Sequence, residues 1–402
     1  MSPTRVAITG IGIVSPFGRG RSAACDALRH ARSGIRRIES IDTSALNCRI
    51  GGEVPADGLT PGKHDRFTGL ALAASEEAME QAKLSVADPN RFGVIIGTGM
   101  GGTETLDAGY KRIYADNQTR VAPTMIAWSM YNAAASAVAT RFGAKGLAYA
   151  VVSACSSSAH AIGQAFQAIR AGQADVVLAG GADAPLTFGV IRAWESMRVL
   201  SIDNEHPEAA CRPFSADRAG LVIAEGAAVL VLESFEHAER RGAAIVGEVA
   251  GFGITSDAGH VTDPSADGAA RAMAMALGDL APEDVGYINA HGTGTRANDV
   301  TETAAIKSVF GTAAQRVPVS STKSLHGHAM GASGAIETAC SLLALNEGFL
   351  PPTINLHAPD PECDLDYVPN QARAARVGLF LSNSFGFGGM NGVVAVRTTH
   401  GL

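Results

Sequence analysis

The chain has 402 residues, enough for two ordinary domains or one double-sized domain with a large core. Glycine supplies 46 of them and aromatics only 5%, a composition that suits tightly packed α/β layers and excludes a disordered or fibrous chain. A net charge of −7 argues against a general role on nucleic acid or on an anionic membrane surface.

Six scattered cysteines (Cys25, Cys48, Cys155, Cys211, Cys340 and Cys363) form no Cys-x-x-Cys pair and no zinc spacing, which points to a reducing, cytoplasmic compartment. The apolar start from Val6 to Pro16, with β-branched residues and paired glycines, reads as a first strand and turn rather than a signal peptide. Within it Gly10-Ile11-Gly12 invites a dinucleotide-binding reading, but Ser15 occupies the position of the third glycine. An amphipathic helix is expected over Asp65 to Ala82. Phe92 to Gly102 is a buried strand running into a glycine-rich loop. That loop lacks the Lys-Ser/Thr ending of a phosphate loop, so close backbone packing beside a pocket is the better reading.

From Leu147 to Ile169 the pattern gives a buried strand (148–152), a tight turn around Ser153-Ala154-Cys155-Ser156-Ser157-Ser158, and a buried helix whose first turn carries Cys155. A helix N-terminus favours the thiolate, which is the nucleophilic form. The stretch is long enough to span a bilayer, but four serines, two glutamines and His160 make it too polar for a lone span. Further on, Ala174 to Gly181 and Val222 to Glu233 read as buried strands, and the costly lone Glu225 is expected to pair with Arg218.

A charged helix from Ser234 to Arg241 looks like a boundary. Beyond it, Ala244 to Ser256 echoes Val6 to Ser15, a strand ending in Gly-x-Gly and a serine, which suggests two similar α/β halves. Short strands then empty into His291-Gly292-Thr293-Gly294-Thr295, into Lys323-Ser324-Leu325-His326-Gly327-His328, and into Phe385-Gly386-Phe387-Gly388-Gly389. Polar clusters just past strand ends are where α/β sheets put their sites, so these clusters and Cys155 are expected in one pocket.

Cysteine with a distant histidine is a nucleophilic pattern, offered here by Cys155 with His291, His326, His328 or His160, and it leaves a Cys-His hydrolase open. His160, on the core helix, reads as a satisfied core histidine. His326 and His328 have no carboxylate or cysteine at ligand spacing, so no metal is expected, and no Gly-x-Ser-x-Gly elbow is present.

Cys155-Ser156-Ser157-Ser158-Ala159, Phe214 to Gly226, His291 to Thr295, Ser321-Thr322-Lys323-Ser324 with Gly327-His328, and Ser382 to Gly389 together resemble the β-ketoacyl-acyl-carrier-protein synthases. The resemblance is to the elongating branch of the thiolase superfamily, in the same order over nearly the whole chain. It implies a thiolase-like α/β fold of five layers, αβαβα, with two pseudo-repeated halves, here residues 1–243 with the cysteine and 244–402 with the histidines. It implies a decarboxylative Claisen condensation in which Cys155 carries the acyl chain and His291 and His328 promote loss of carbon dioxide from a malonyl thioester. Backbone N–H groups at Cys155 and Phe387 hold the second oxyanion, and Phe387 gates the site. Lys323 supports the histidines and Glu337 matches the buried acid. Thr293 and Thr295 match residues that bind the pantetheine arm. Met100 and Trp194 fall where the acyl pocket is lined, and Lys63, Arg66, Arg120 and Arg198 are candidates for docking an acidic acyl carrier protein. No resident cofactor and a dimer are implied. Arg296, Ala219 and His326 depart from the family pattern without removing a catalytic group.

The same motifs suit a ketosynthase subunit of a type II polyketide or polyene system paired with a related subunit. A catalytically silent chain-length partner is opposed by the intact Cys155, His291 and His328, and an NAD-dependent oxidoreductase rests on Gly10-Ile11-Gly12 alone.

Overall fold

The main sheet is built from β1 (Val6–Ser15), β2 (Phe92–Gly97), β3 (Ala148–Val151), β4 (Val176–Asp183), β5 (Gly226–Ser234), β6 (Gly247–Ser256), β7 (Tyr287–Asn289), β8 (Val319–Ser320), β9 (Leu379–Gly386) and β10 (Met390–Thr398), with Gly18–Arg19 folded back on β1. The structure, a computed structural model, describes residues 4–56, 59 and 64–402. The helices that matter to the site are α1 (Arg66–Ala82), α2 (Thr103–Tyr114), α3 (Ala133–Phe142), α4 (Ser157–Arg170), α5 (Phe188–Ser196), α6 (Ala266–Leu277), α7 (Arg296–Phe310), α8 (Lys323–His326) and α9 (Ser333–Asn346).

The strand order is β8-β7-β9-β10-β6-β1-β5-β4-β2-β3. Outward from β1, the junctions to β5 and β4 are antiparallel and those to β2 and β3 are parallel. Outward from β6, the junctions to β10 and β9 are antiparallel and those to β7 and β8 are parallel. The same wiring twice makes the two halves a structural repeat, of which the Gly-x-Gly echo between β1 and β6 is the visible trace in sequence. The halves join where Val6 to Ile8 pair with Gly247 to Val249.

Helices α4 and α9 lie between the halves and touch strands of both. Their small and apolar residues are buried nearly all round, as a helix in a middle layer requires. Helices α1 and α3 cover the outside of the first half, and α6, with α7 stacked on it, covers the second. The result is the five-layered thiolase-like α/β fold. Among the described residues no helix is long and apolar enough to cross a membrane.

Two local expectations change. The strand 148–152 is not buried: β3 is the last strand of its half and, among the described residues, pairs only with β2, leaving Tyr149 and Val152 38% and 52% exposed. Glu225 pairs with Arg66 rather than Arg218, because Arg66 at the start of α1 sends its Nε and Nη2 to the two carboxylate oxygens at 2.7 and 2.6 Å. Arg218 is instead taken by Asp360 at 2.6 Å and Asp299 at 3.4 Å.

Candidate active site

The turn between β3 and α4 presents Cys155. Ala154 adopts a left-handed φ of 51°, a conformation costing about 1–2 kcal/mol for a residue with a Cβ, and the Ser156 and Ser157 amides close the turn onto Ser153 and Ala154 carbonyls. Helix α4 starts only at Ser157, so Cys155 stands just before the helix rather than in its first turn. His160 ties this turn to β10: its Nδ1 meets Ser153 Oγ at 2.7 Å and its Nε2 the Asn391 carbonyl at 3.0 Å. It is a satisfied core histidine.

The two other histidines arrive from the second half. His291 follows β7, and its own amide and that of Gly292 donate to the two oxygens of buried Glu302, each at 2.8 Å. His328 follows α8, pairs its backbone N–H with Val222 at 2.7 Å, and holds Nδ1 2.8 Å from Ser333 Oγ at the start of α9. Its Nε2 lies 3.1 Å from Cys155 Sγ, and the imidazoles of His291 and His328 meet edge to face at 5.4 Å between centroids. The ligand atoms of Cys155, His291 and His328 all lie within 4.8 Å of one another.

Below them, Lys323 Nζ sits 3.4 Å from His291 Nδ1 and 2.5 Å from a Glu337 oxygen, with both side chains wholly buried. An ammonium can only donate, so Nδ1 of His291 accepts and its Nε2 carries the proton. Burial, then Lys323, then His328 hold His291 well below the ordinary histidine range; burial, Lys323 and His326 do the same to His328. Both rings are therefore neutral at physiological pH. Burial also pushes the Cys155 thiol up to about 11 against the opposing pull of Lys323 and of the Phe387 amide. Burial thus opposes the thiolate that a helix N-terminus would favour.

The Phe387 amide reaches Cys155 because Gly386 lets the β9–β10 turn lie against the nucleophile; a Cβ there would come within 3.1 Å of the Cys155 nitrogen. The Phe387 ring stacks on Trp194 of α5 at 5.5 Å and 26°. Together they wall a cavity of about 290 Å³ over Cys155, His291 and His328, in which Thr293 and Thr295 also stand, their hydroxyls 2.9 Å apart.

Met100 does not line this cavity. It lies in an adjoining cleft between α2 and α5, with Leu106, Tyr110, Val190 and Ala193, and Trp194 borders both spaces. Arg198 is exposed beside Met197 at the cavity mouth, and Arg120 is exposed on the loop after α2. Arg66 is committed to Glu225, and Lys63 lies outside the described residues. His326 is buried, with Nε2 on Thr322 Oγ1 at 3.1 Å, and is held down to about 3 by burial and Lys323. Sequence reasoning missed Glu302, Ser333 and Asp183. Glu302 carried a faint signal as an acid in a helix whose neighbours Thr303, Ala305 and Ile306 face the core.

Known proteins are similar to this chain over nearly its whole length. The family profile described as "Beta-ketoacyl synthase, N-terminal domain" matches residues 3–238, and that described as "Beta-ketoacyl synthase, C-terminal domain" matches residues 246–357. The chain is 45% identical over 403 residues to Nodulation protein E of Rhizobium sp. (strain N33), covering 98% of this chain and 99% of that one. It is 44% identical over 406 residues to 3-oxoacyl-[acyl-carrier-protein] synthase 2 of Synechocystis sp., covering 98% of each. Among solved structures, a type II polyketide ketosynthase in complex with its acyl-carrier protein superposes with a TM-score of 0.93 at 36% identity, covering 99% of this chain and all of that one. The ishigamide ketosynthase/chain length factor gives 0.93 at 34% identity, with the same coverage. The chain belongs to the β-ketoacyl synthase family and is an acyltransferase-type condensing enzyme that extends an acyl chain.

Proposed function

We propose that Cys155, His291 and His328 divide the condensation between them. The convergence of one thiol and two neutral imidazoles within 4.8 Å carries the reading. In the first half-reaction Cys155 sulfur attacks an acyl thioester on the carrier, the carrier's C–S bond breaks, and the thiol proton passes to the departing carrier sulfur. In the second, the C–C bond to the carboxylate of a malonyl thioester breaks and carbon dioxide leaves. The electron pair remains as an enolate, whose carbon attacks the acyl-Cys155 carbonyl. The Cys155 C–S bond then breaks, the sulfur takes up one proton, and a β-ketoacyl thioester remains on the carrier.

Two N–H donors aimed at the enolate oxygen stabilise developing charge without protonating the carbanion, which is why two neutral histidines suit the step better than one charged one. The amides of Cys155 and Phe387 serve the oxyanion at the acyl carbonyl. Lys323 orients His291, and Glu337 balances Lys323. Thr293 and Thr295 receive the pantetheine arm. No resident cofactor or metal is needed by this chemistry, and the ammonium of Lys323 beside His291 would repel a dication among the three side chains.

We read the acyl carrier protein as docking at the mouth, with Arg198 and Arg120 meeting its acidic face. The complex of the solved polyketide ketosynthase with its acyl-carrier protein supports a carrier partner. The edge of β3, unpaired among the described residues and carrying exposed Tyr149 with Val152 just after it, supports a dimer of two copies through this edge. The ishigamide ketosynthase/chain length factor favours a second reading, in which a related subunit takes that edge and the pathway is polyketide or polyene synthesis rather than fatty-acid elongation. We place the chain in the cytoplasm, as its six free cysteines suit, and divide its halves between residues 243 and 244, where the two family profiles flank the boundary.

The test is to incubate the pure protein with acyl-carrier thioesters from short to long, saturated and polyunsaturated, and to weigh the intact protein. Acylation lost in Cys155→Ala supports the reading, and acylation retained there overturns it. Uptake of saturated chains by the protein alone supports fatty-acid elongation, whereas uptake of polyene chains only, or only with a partner subunit, supports the second reading.

A further inference from the structure

Asp183, the last residue of β4, is wholly buried behind the nucleophile, and both its oxygens are saturated by groups from two separate loops. Oδ1 accepts the Thr98 hydroxyl at 2.6 Å and the Met100 amide at 3.0 Å; Oδ2 accepts the Gly99 amide and the Gly331 amide, each at 2.7 Å. The first loop carries Met100 into the cleft beside Trp194. The second is the turn between His328 and Ser333, whose hydroxyl returns to His328 Nδ1. The loops touch: a Cβ on Gly331 would fall 2.2 Å from the Gly99 nitrogen. In the second loop Met330 holds a left-handed φ of 47°, a conformation that persists only when its surroundings enforce it.

We infer that Asp183 is a positioning residue that pins the His328–Ser333 turn against the loop carrying Met100, so that one carboxylate sets both the reach of His328 and the wall of the Met100 cleft that adjoins the cavity at Trp194. It touches no reacting atom and acts through Gly331 and Met100. A side chain there must accept four donors, two per oxygen, which a carboxylate does and an amide only half does. The inference rests on the role assigned to His328 above.

The experiment compares Asp183→Ala and Asp183→Asn with the wild-type chain. The readouts are carbon dioxide release from a malonyl thioester, the acyl-length profile of Cys155 loading, and alkylation of Cys155 by iodoacetamide, all well below the melting temperature. Asp183→Ala frees both loops and is expected to lower decarboxylation at least thirtyfold. Asp183→Asn keeps one carbonyl oxygen, which can hold Gly99 and Gly331, while its NH2 group turns to the Thr98 oxygen and abandons the Met100 amide. It is expected to decarboxylate within threefold of wild type and to load a broader range of acyl lengths. Wild-type decarboxylation in Asp183→Ala overturns the inference. If Asp183→Ala does not fold, Asp183→Asn decides alone: an unchanged profile, or one common fall in every activity, overturns it.

A wild-type protein that neither loads acyl groups nor decarboxylates fails the functional reading instead. Alkylation then still reports on Asp183: both variants lose its charge, which itself raises the Cys155 thiol, so the two are compared with each other for the 3.1 Å contact of His328 with Cys155. With Nε2–H donating to the thiolate, losing that contact is expected to make alkylation at least threefold slower in Asp183→Ala than in Asp183→Asn, which keeps the Gly331 bond, and an equal rate in the two overturns the inference.

Discussion

Lys323 and Glu337 face each other across 2.5 Å with neither side chain exposed, and the same ammonium lies 3.4 Å from His291 Nδ1. Burial raises the Glu337 carboxyl to about 7, with Lys323 opposing. A carboxyl raised in the folded chain holds an extra proton there between its unfolded and folded values, so it lowers stability as pH rises through that window. For Glu337 the window runs from 4.5 to about 7. Glu337→Gln removes this contribution while leaving Lys323 an acceptor. Melting temperatures at pH 5 and pH 8 should show the variant gaining on the wild type by several degrees at the higher pH, and a difference that does not change with pH refutes the assignment.

Lys323→Ala acts differently, because it leaves a buried carboxyl without its cation and His291 without the donor that fixes its tautomer. Removing one partner of a buried pair costs about 3–5 kcal/mol. Malonyl decarboxylation should fall about 10- to 100-fold, the range seen when a functional histidine loses the partner that orients it. Refolded, monodisperse protein with wild-type decarboxylation would remove Lys323 from the machinery.

Cys155 is a buried thiol rather than a standing thiolate, with its pKa pushed up to about 11 by burial. Alkylation by iodoacetamide should therefore be slow at pH 7 and rise about tenfold per pH unit toward that value, since only the thiolate attacks. A plateau already reached at pH 7 would mean that Lys323 and the Phe387 amide win over burial. Cys155→Ala should lose acyl transfer yet still decarboxylate malonyl thioester, whereas His291→Ala and His328→Ala should each lower decarboxylation by about 100- to 1,000-fold, the range measured for single oxyanion donors.

The site was legible in sequence wherever chemistry needs a particular atom at a strand end: Cys155, His291, Lys323 and His328 stand out as polar residues after apolar strands. The repeat was legible only as Gly-x-Gly in β1 and β6, because the wiring that makes the halves equal is a property of pairing order. What escaped was the set of acceptors for backbone amides. Asp183 holds backbone N–H groups of loops 83 to 148 residues away, Glu302 holds those of His291 and Gly292, 11 and 10 residues before it, and a buried carboxylate without a cation gives no sequence pattern to follow. Arg66 was misread for the related reason that α1 brings it to Glu225 from 159 residues away, closer in space than Arg218, which is near only in sequence.

Trp194 stands between two spaces, stacked on Phe387 on one side and bordering the Met100 cleft on the other. Trp194→Ala should join them and move the preferred acyl chain upward by at least two carbons, measured by intact mass after loading with a graded set of saturated thioesters. Met100→Ala, which widens only the far cleft, should change the profile less while Trp194 remains. Equal shifts in the two variants would show that the cleft, and not the aromatic wall, sets chain length.

The edge of β3 provides the last prediction. An edge strand with unpaired backbone groups and apolar neighbours associates with another chain unless charge or a bulge blunts it, and here Tyr149 and Val152 are exposed. Val152→Lys places a charge on that edge without touching the cavity over Cys155. In a dimer of two copies, light scattering should fall from twice the chain mass to the chain mass at micromolar concentration. If the wild-type chain is already monomeric alone and gains mass only with a related subunit, the edge belongs to that subunit, and Val152→Lys should then abolish the heterotypic complex. A Val152→Lys protein that keeps its assembly in both settings would place the contact elsewhere on the molecule.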